Sequence, residues 1–124
     1  MTAWTSDELT RIADADELRI AFKRPDGTLA APRTIWVVRD GDDLYVRSVN
    51  GPTSAWFRGV QASHQGHVDA GGVSKDVTFA DPGDGVGEEL DAAYRAKYRR
   101  YAPSIVNSIL TPKARSATVK LVPR

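Results

Sequence analysis

Large apolar side chains recur with a period of two at Leu18, Ile20 and Phe22, separated by Arg19, Ala21 and Lys23, which predicts a half-buried strand. Pro25-Asp26-Gly27 supplies the turn that follows it. Upstream, Ser6, Asp7 and Glu8 followed by Leu9 and Ile12 predict a short capped helix to about Asp14, with acids in its positive first turn. The second strand, around Arg33 to Arg39, carries Ile35, Trp36, Val37 and Val38 without alternation. An unbroken run of this kind needs cover on both faces, from a helix or from another subunit. Asp40-Gly41-Asp42 then closes a hairpin into a strand over Leu44 to Val49.

Asn50, Gly51 and Pro52 break that strand, and Thr53 or Ser54 caps a short predicted helix through about Gln61. Two further strands fit His67 to Ala70 and Val73 to Phe79, joined by the Gly71-Gly72 turn. A loop over 81–87 leads to a helix from Glu88 to about Ala102, on which Leu90, Tyr94, Tyr98 and Tyr101 share one stripe. Pro103 stops it and opens a shorter helix with Ile105, Val106 and Ile109, and the last strand is Ala117 to Val122. No repeat or linker interrupts this order. The pattern predicts one α+β domain over 1–124, with about six strands.

Composition narrows the class. A chain of 124 residues with 41% apolar and 27% charged side chains belongs with globular proteins large enough for one core. It has no cysteine, which removes disulfides, thiol nucleophiles and cysteine metal sites and fits a reducing cytoplasm. No apolar run approaches the ~20 residues of a membrane span, and the first residues are acidic and polar where a signal peptide is basic and then apolar. The expectation is a soluble, cytoplasmic protein without a membrane partner. Charge is divided: the stretch through Asp91 sums to −7 and the remainder, which has no acids, to +8. A basic third of this kind packs on the acidic remainder or forms an anion-binding face. It lacks the aromatic-rich basic stripe of a nucleic-acid surface, so no nucleic-acid partner is expected.

His64 and His67 are the only histidines, and no cysteine or third histidine completes a zinc shell, so no metal site is assigned. The sequence also lacks a nucleophile elbow, a glycine-rich phosphate loop and an HExxH pair, and no catalytic residue is assigned. One constellation has a physical use. A loop feeding a helix N-terminus is a natural anion seat, because that end presents unpaired amides and a positive dipole. Here Ser48, Thr53 and Ser54 supply hydroxyls, Arg47 and Arg58 supply guanidinium forks, and Gly51 lets the backbone approach a ligand. Trp36 and Trp56 offer indole faces for a planar heteroaromatic ligand. The competing reading of the same residues is an ordinary capped helix with core tryptophans and solvated arginines.

The strings ELRIAFKRPDGT, TIWVV, LYVRS, GGVSKDVTF and AAYRAKY, in this order over nearly the whole chain, resemble a small uncharacterised bacterial family. That family stands among the flavin-binding split barrels, beside pyridoxamine-phosphate-oxidase-like proteins and deazaflavin-dependent nitroreductases. The resemblance implies a split β-barrel of mainly antiparallel strands with flanking helices. It further implies a homodimer with a flavin-like small-molecule ligand, FMN or a deazaflavin, at the subunit interface. Ser48, Gly51 and Trp56 fall on the nitroreductases' pattern of strand, small residue, glycine and tryptophan, with Arg47 and Arg58 as phosphate partners beside it. Pro32 and Arg33, and Arg58 with Gly59, depart from it. Three functions stay open: a flavin-class oxidoreductase acting on a small oxidised substrate, a non-catalytic flavin or other small-ligand binder, and a cofactor-free structural barrel.

Overall fold

At Trp36 the chain changes partners. In the computed structural model, which describes residues 3–83 and 85–124, β1 (Leu18–Phe22) pairs with β2 (Arg33–Ile35), whereas β3 (Val37–Asp40) pairs with β4 (Asp43–Arg47). The strand expected over Arg33 to Arg39 is therefore two strands. They lie at opposite ends of a seven-stranded antiparallel sheet ordered β2-β1-β5-β6-β7-β4-β3, with β5 at Gln65–Ala70, β6 at Val73–Ala80 and β7 at Thr118–Pro123. The sheet curls until its ends meet at that residue without pairing, and the result is a split barrel of the α+β class. This division accounts for seven strands where the pattern predicted about six.

The unbroken apolar run follows from the same geometry. Val37 points into the barrel core with Leu18, Ile20, Val46, Val68 and Leu121, and Val38 points out into a second core under α3 (Gly87–Lys97) and α4 (Pro103–Ser108). On β4, Leu44 and Val46 join the first core and Tyr45 the second. The second cover that the run requires is thus α3 of the same chain.

Beyond the split, β3 has no strand on its free side, and buried backbone groups need partners. Side chains of α3 and its last turn provide them. The Val37 amide donates to the Tyr98 hydroxyl at 3.1 Å, and the Val37 carbonyl accepts from Lys97 Nζ at 2.6 Å. Tyr98 gives its own hydrogen to the Asp16 carbonyl at 2.7 Å.

The remaining helices are short. In α1 (Ser6–Asp14) Thr5 and Glu8 form a reciprocal capping box, α2 spans Ala55–Ser63 after a single 3₁₀ turn at Gly51–Thr53, and α5 spans Pro112–Arg115. The sequence pattern did not predict α5, whose four residues show no periodicity. Helix α3 ends at Lys97, five residues before the expected Ala102. Of the loop expected over 81–87, residue 84 lies outside the described residues. No helix is long and apolar enough to cross a membrane among the described residues.

Candidate functional site

Strand β4 delivers the chain into the segment that the sequence singled out. Ser48 is buried, donates its amide to the Ala117 carbonyl at 3.0 Å and accepts the amide of Gly51 at 3.0 Å. This turn puts Gly51 at φ 78°, and a Cβ there would also enter the side chain of Lys113, so glycine is required twice over. Ser54 occupies the N-cap of α2, yet its hydroxyl is not used on the helix: it lies 2.7 Å from the Ser48 hydroxyl. The first-turn amides of α2 are left without a side-chain cap.

Arg47 has a role different from the one read in the sequence. Its side chain has no exposed area, and four of its N–H groups are taken inside the protein. Nε donates to Thr118 Oγ1 at 3.1 Å, Nη1 to Asp91 Oδ1 at 2.5 Å and to the Ile109 carbonyl at 3.1 Å, and Nη2 to the Gly87 carbonyl at 3.1 Å. Arg115 closes on the other carboxylate oxygen of Asp91. Burial pushes the Asp91 carboxyl up, but the hydrogen bonds from Arg115 and Arg47 outweigh it and hold the group below the usual carboxylate range. Arg47 therefore joins β4 to α3 and α4 through these four N–H groups, while its side chain also borders the cleft at Trp36. Its position at the end of a strand gave no sign of this, because the partner Asp91 is 44 residues away.

The other site residues face three separate clefts. Trp36 floors one of about 380 Å³, which Arg47 also lines, together with Glu17, Thr34, Ile35, Val49, Asn50, Ile105 and Ser108. Its indole stacks on Tyr98 with centroids 3.8 Å apart and planes 4° from parallel, and Tyr101 tilts against it at 5.2 Å. That stack holds the ring in place. Val49 and Ile105, at 48% and 49% exposure, are two of the three large apolar side chains left most open to solvent. Trp56 borders a smaller cleft of about 200 Å³ with Arg24, Arg33 and Ala55, the first residue of α2. Arg58 faces away from both, into an open cleft of about 770 Å³ with Phe57, His64 and Arg115. Arg47 and Arg58 are thus not brought together around one anion.

The first two clefts both border β2, Arg33 lining one and Thr34 with Ile35 the other. One offers an aromatic floor, apolar walls and the polar groups of Glu17, Arg47, Asn50 and Ser108, and the other the guanidinium groups of Arg33 and of Arg24, whose Nη1 donates to the Leu29 carbonyl at 3.1 Å. This donor set suits a planar heteroaromatic ring with an anionic tail. Arg24, Arg33, Asn50 and Ile105 are the contributors that sequence reasoning missed. For Arg33 a signal existed, since it stands one strand period before Ile35.

The histidines are placed apart. His64 ends α2 in the left-handed region at φ 61°, and His67 lies on the outer sheet face, bonded to Asp76 at 2.8 Å and Ser74 at 2.7 Å. Among the described residues no group of three His, Cys, Asp or Glu side chains is arranged to hold a metal.

A family model described as an uncharacterized protein conserved in bacteria matches residues 8–121. The chain belongs to that family, DUF2255. Comparison with curated proteins gives no match. Solved structures share the fold at low identity. A putative pyridoxamine 5'-phosphate oxidase from Listeria innocua is 13% identical, with a TM-score of 0.62 over 94% of this chain and 90% of that one. An F420 reductase is 16% identical, with a TM-score of 0.57 over 93% and 90%. A heme storage protein from Vibrio cholerae is 12% identical, with a TM-score of 0.62 over 100% and 92%. The family therefore has the split-barrel fold common to these proteins.

Proposed function

We propose that this chain binds a flavin-type cofactor, FMN or a deazaflavin, and passes hydride to a small oxidised substrate. The observation that carries this reading is the pairing of the Trp36-floored cleft with the arginine-lined cleft along one strand, β2. Trp36, locked against Tyr98, offers a flat face for the ring system, and Val49 and Ile105 flank it. Arg24 and Arg33, with Trp56 and the start of α2, hold the anionic tail. Ser48, Gly51 and Ser54 shape the turn that separates the two. When bound, such a cofactor supplies the hydride chemistry itself, so the protein's tasks are binding, orientation and exclusion of water. Asn50 and Ser108 would supply hydrogen-bonding groups to a ring held in that cleft.

In the same reading the protein is a homodimer. The exposed Val49 and Ile105 on the rim of the Trp36 cleft support it, because a second copy seated there covers both the apolar rim and the ligand. The absence of cysteine supports a cytoplasmic location. Two proteins with this fold, the F420 reductase and the putative pyridoxamine 5'-phosphate oxidase, lend the redox reading their names, and the heme storage protein shows that the fold is not confined to it.

The test is titration of the purified protein with FMN and with a deazaflavin, followed by tryptophan fluorescence and absorbance. Single-turnover oxidation of the bound reduced cofactor by quinone or nitro acceptors comes next. Binding with oxidation faster than that of the free cofactor is the expected result. Binding without it makes the protein a carrier, and no binding up to about millimolar concentration, where interaction is worth only ~4 kcal/mol, ends the flavin reading.

A further inference from the structure

Lys97, the last residue of α3, is half-buried where Arg95 and Arg99 are exposed, and it is the lysine whose surroundings differ from those of the other four. Lys75 and Lys120 are paired with Glu8 and Asp43, and Lys23 and Lys113 stand exposed. Lys97 has no carboxylate within ion-pair distance among the described residues. Its Nζ donates to a neutral acceptor, the Val37 carbonyl, at 2.6 Å and lies 5.2 Å from the Tyr98 ring centroid. The nearby acids are Asp14 and Asp16, and Asp16 is already engaged by Arg100. The side chain lines a cleft of about 350 Å³ with Ala13, Ala93 and Ala96, whose small side chains leave space beside the amine, and with Arg39 on the adjacent strand.

An ammonium group taken out of water without a counter-ion tends to lose its proton, and a neutral lysine amine is a nucleophile. We propose that Lys97 is a covalent modification site, taking the acyl group of small anionic acyl donors such as acyl phosphates that enter this cleft beside Arg39. In the step, the amine lone pair forms a C–N bond to the acyl carbon and the bond from that carbon to the phosphate oxygen breaks. Phosphate leaves with the electron pair, and the amine's proton passes to solvent. Arg39, whose Nε donates to the Gly41 carbonyl at 2.7 Å and whose Nη2 lies 3.8 Å from the exposed Asp42 carboxylate, supplies the charge that draws the donor's phosphate, and the three alanines accommodate the acyl group.

Burial lowers the Lys97 amine to about 8, against the raising influence of Asp16 and Asp14 and with a further lowering from Arg100. At pH 7.5 an amine near 8 is about one-quarter neutral, compared with about 0.1% for an ordinary lysine near 10.4. The property therefore has a direct readout on the unmodified protein, independent of any cofactor.

The experiment is competitive trace acetylation across pH 6.5 to 11 in ~0.5-unit steps, with peptide mass spectrometry reporting each lysine separately. Two donors are compared: acetic anhydride, which is neutral, and acetyl phosphate, which is anionic. Lys97→Arg confirms the assigned peptide. At pH 7.5 Lys97 is expected to react about tenfold or more faster than Lys23 and Lys113 and to titrate near 8. Arg39→Gln is expected to slow its reaction with acetyl phosphate several-fold and leave that with acetic anhydride unchanged. A Lys97 that reacts no faster than Lys23 and Lys113, or that titrates with them, overturns the proposal. Equal behaviour of the two donors in Arg39→Gln overturns the assignment of an anionic donor.

Discussion

The Val37 amide and the Tyr98 hydroxyl lie 3.1 Å apart across the place where a neighbouring strand would otherwise run. A phenol from the end of a helix stands in for a missing strand there. The same ring carries the Trp36 stack, so one residue satisfies the edge backbone and fixes the cleft floor.

Tyr98→Phe separates these roles. The ring and its stack remain, while the buried Val37 N–H and the Asp16 carbonyl lose their partner. The expected loss is about 1 to 3 kcal/mol of stability, read as a lower urea midpoint with an unchanged m-value.

Asp91 and the two arginines on it make a graded series. Removing the carboxylate in Asp91→Ala leaves the Arg47 guanidinium buried and uncompensated, which should cost about 3 to 5 kcal/mol. Arg115, whose side chain is 43% exposed, contributes as a surface partner does, so Arg115→Ala should cost far less than Asp91→Ala. If Arg47→Ala instead leaves stability intact and weakens only flavin binding, the internal role assigned to Arg47 is wrong.

The pH dependence follows from the same carboxyl. Asp91 titrates lower folded than unfolded, so its contribution is present above its unfolded value near 3.9 and is lost as pH falls through its folded value. Asp91→Asn should flatten the acid limb of the stability profile between about pH 5 and 2. Lys97 acts on the alkaline side with the same sense, since its folded value is also lowered and stability again rises with pH. Its folded value of about 8 lies below its unfolded one, so its burden is present below 8 and is relieved as pH rises toward about 10. Denaturant midpoints across about pH 2 to 10 at ~1-unit intervals check both limbs.

Ligand binding distinguishes the two candidate arginines. Arg33→Ala should weaken FMN binding about tenfold or more, the effect of losing one charge-assisted contact, whereas Arg58→Ala should leave it unchanged. Trp36→Leu should cost roughly 1 kcal/mol of binding through the lost ring contact. Fluorescence titration against free FMN measures all three, and the reverse order of the two arginines would move the seat to the larger cleft.

Gly66 tests the barrel wall. A Cβ at this position in β5 would collide with the Ala21 carbonyl of β1 and the Phe79 ring of β6. Gly66→Ala should therefore destabilise the protein by about 3 kcal/mol through overpacking, seen as a lowered Tm.

Much of the fold was legible because local signals agree with it. Leu18, Ile20 and Phe22 marked a strand, Gly71-Gly72 a hairpin, and Pro103 the start of a helix, and all three stand where expected. The break at Trp36 was not legible, since a change of pairing partner leaves a continuous apolar run unchanged and depends on strands elsewhere in the chain. Arg47 shows the same limit at the site. Its residue type suits a phosphate as well as it suits Asp91, and only the tertiary arrangement decides between them. Trp36 was identifiable as a ligand-facing candidate, but its support by Tyr98 depends on a contact 62 positions away in sequence.

An open sheet ordinarily exposes two edges on which another chain can add strands, and long flat edges invite aggregation. Here the terminal strands β2 and β3 have only three and four residues, and they turn into each other at Trp36. Helix side chains already occupy the backbone groups of Val37 on the free side of β3. The seam thus offers no template of useful length, so the barrel can stay unclosed without becoming a nucleus for fibre growth.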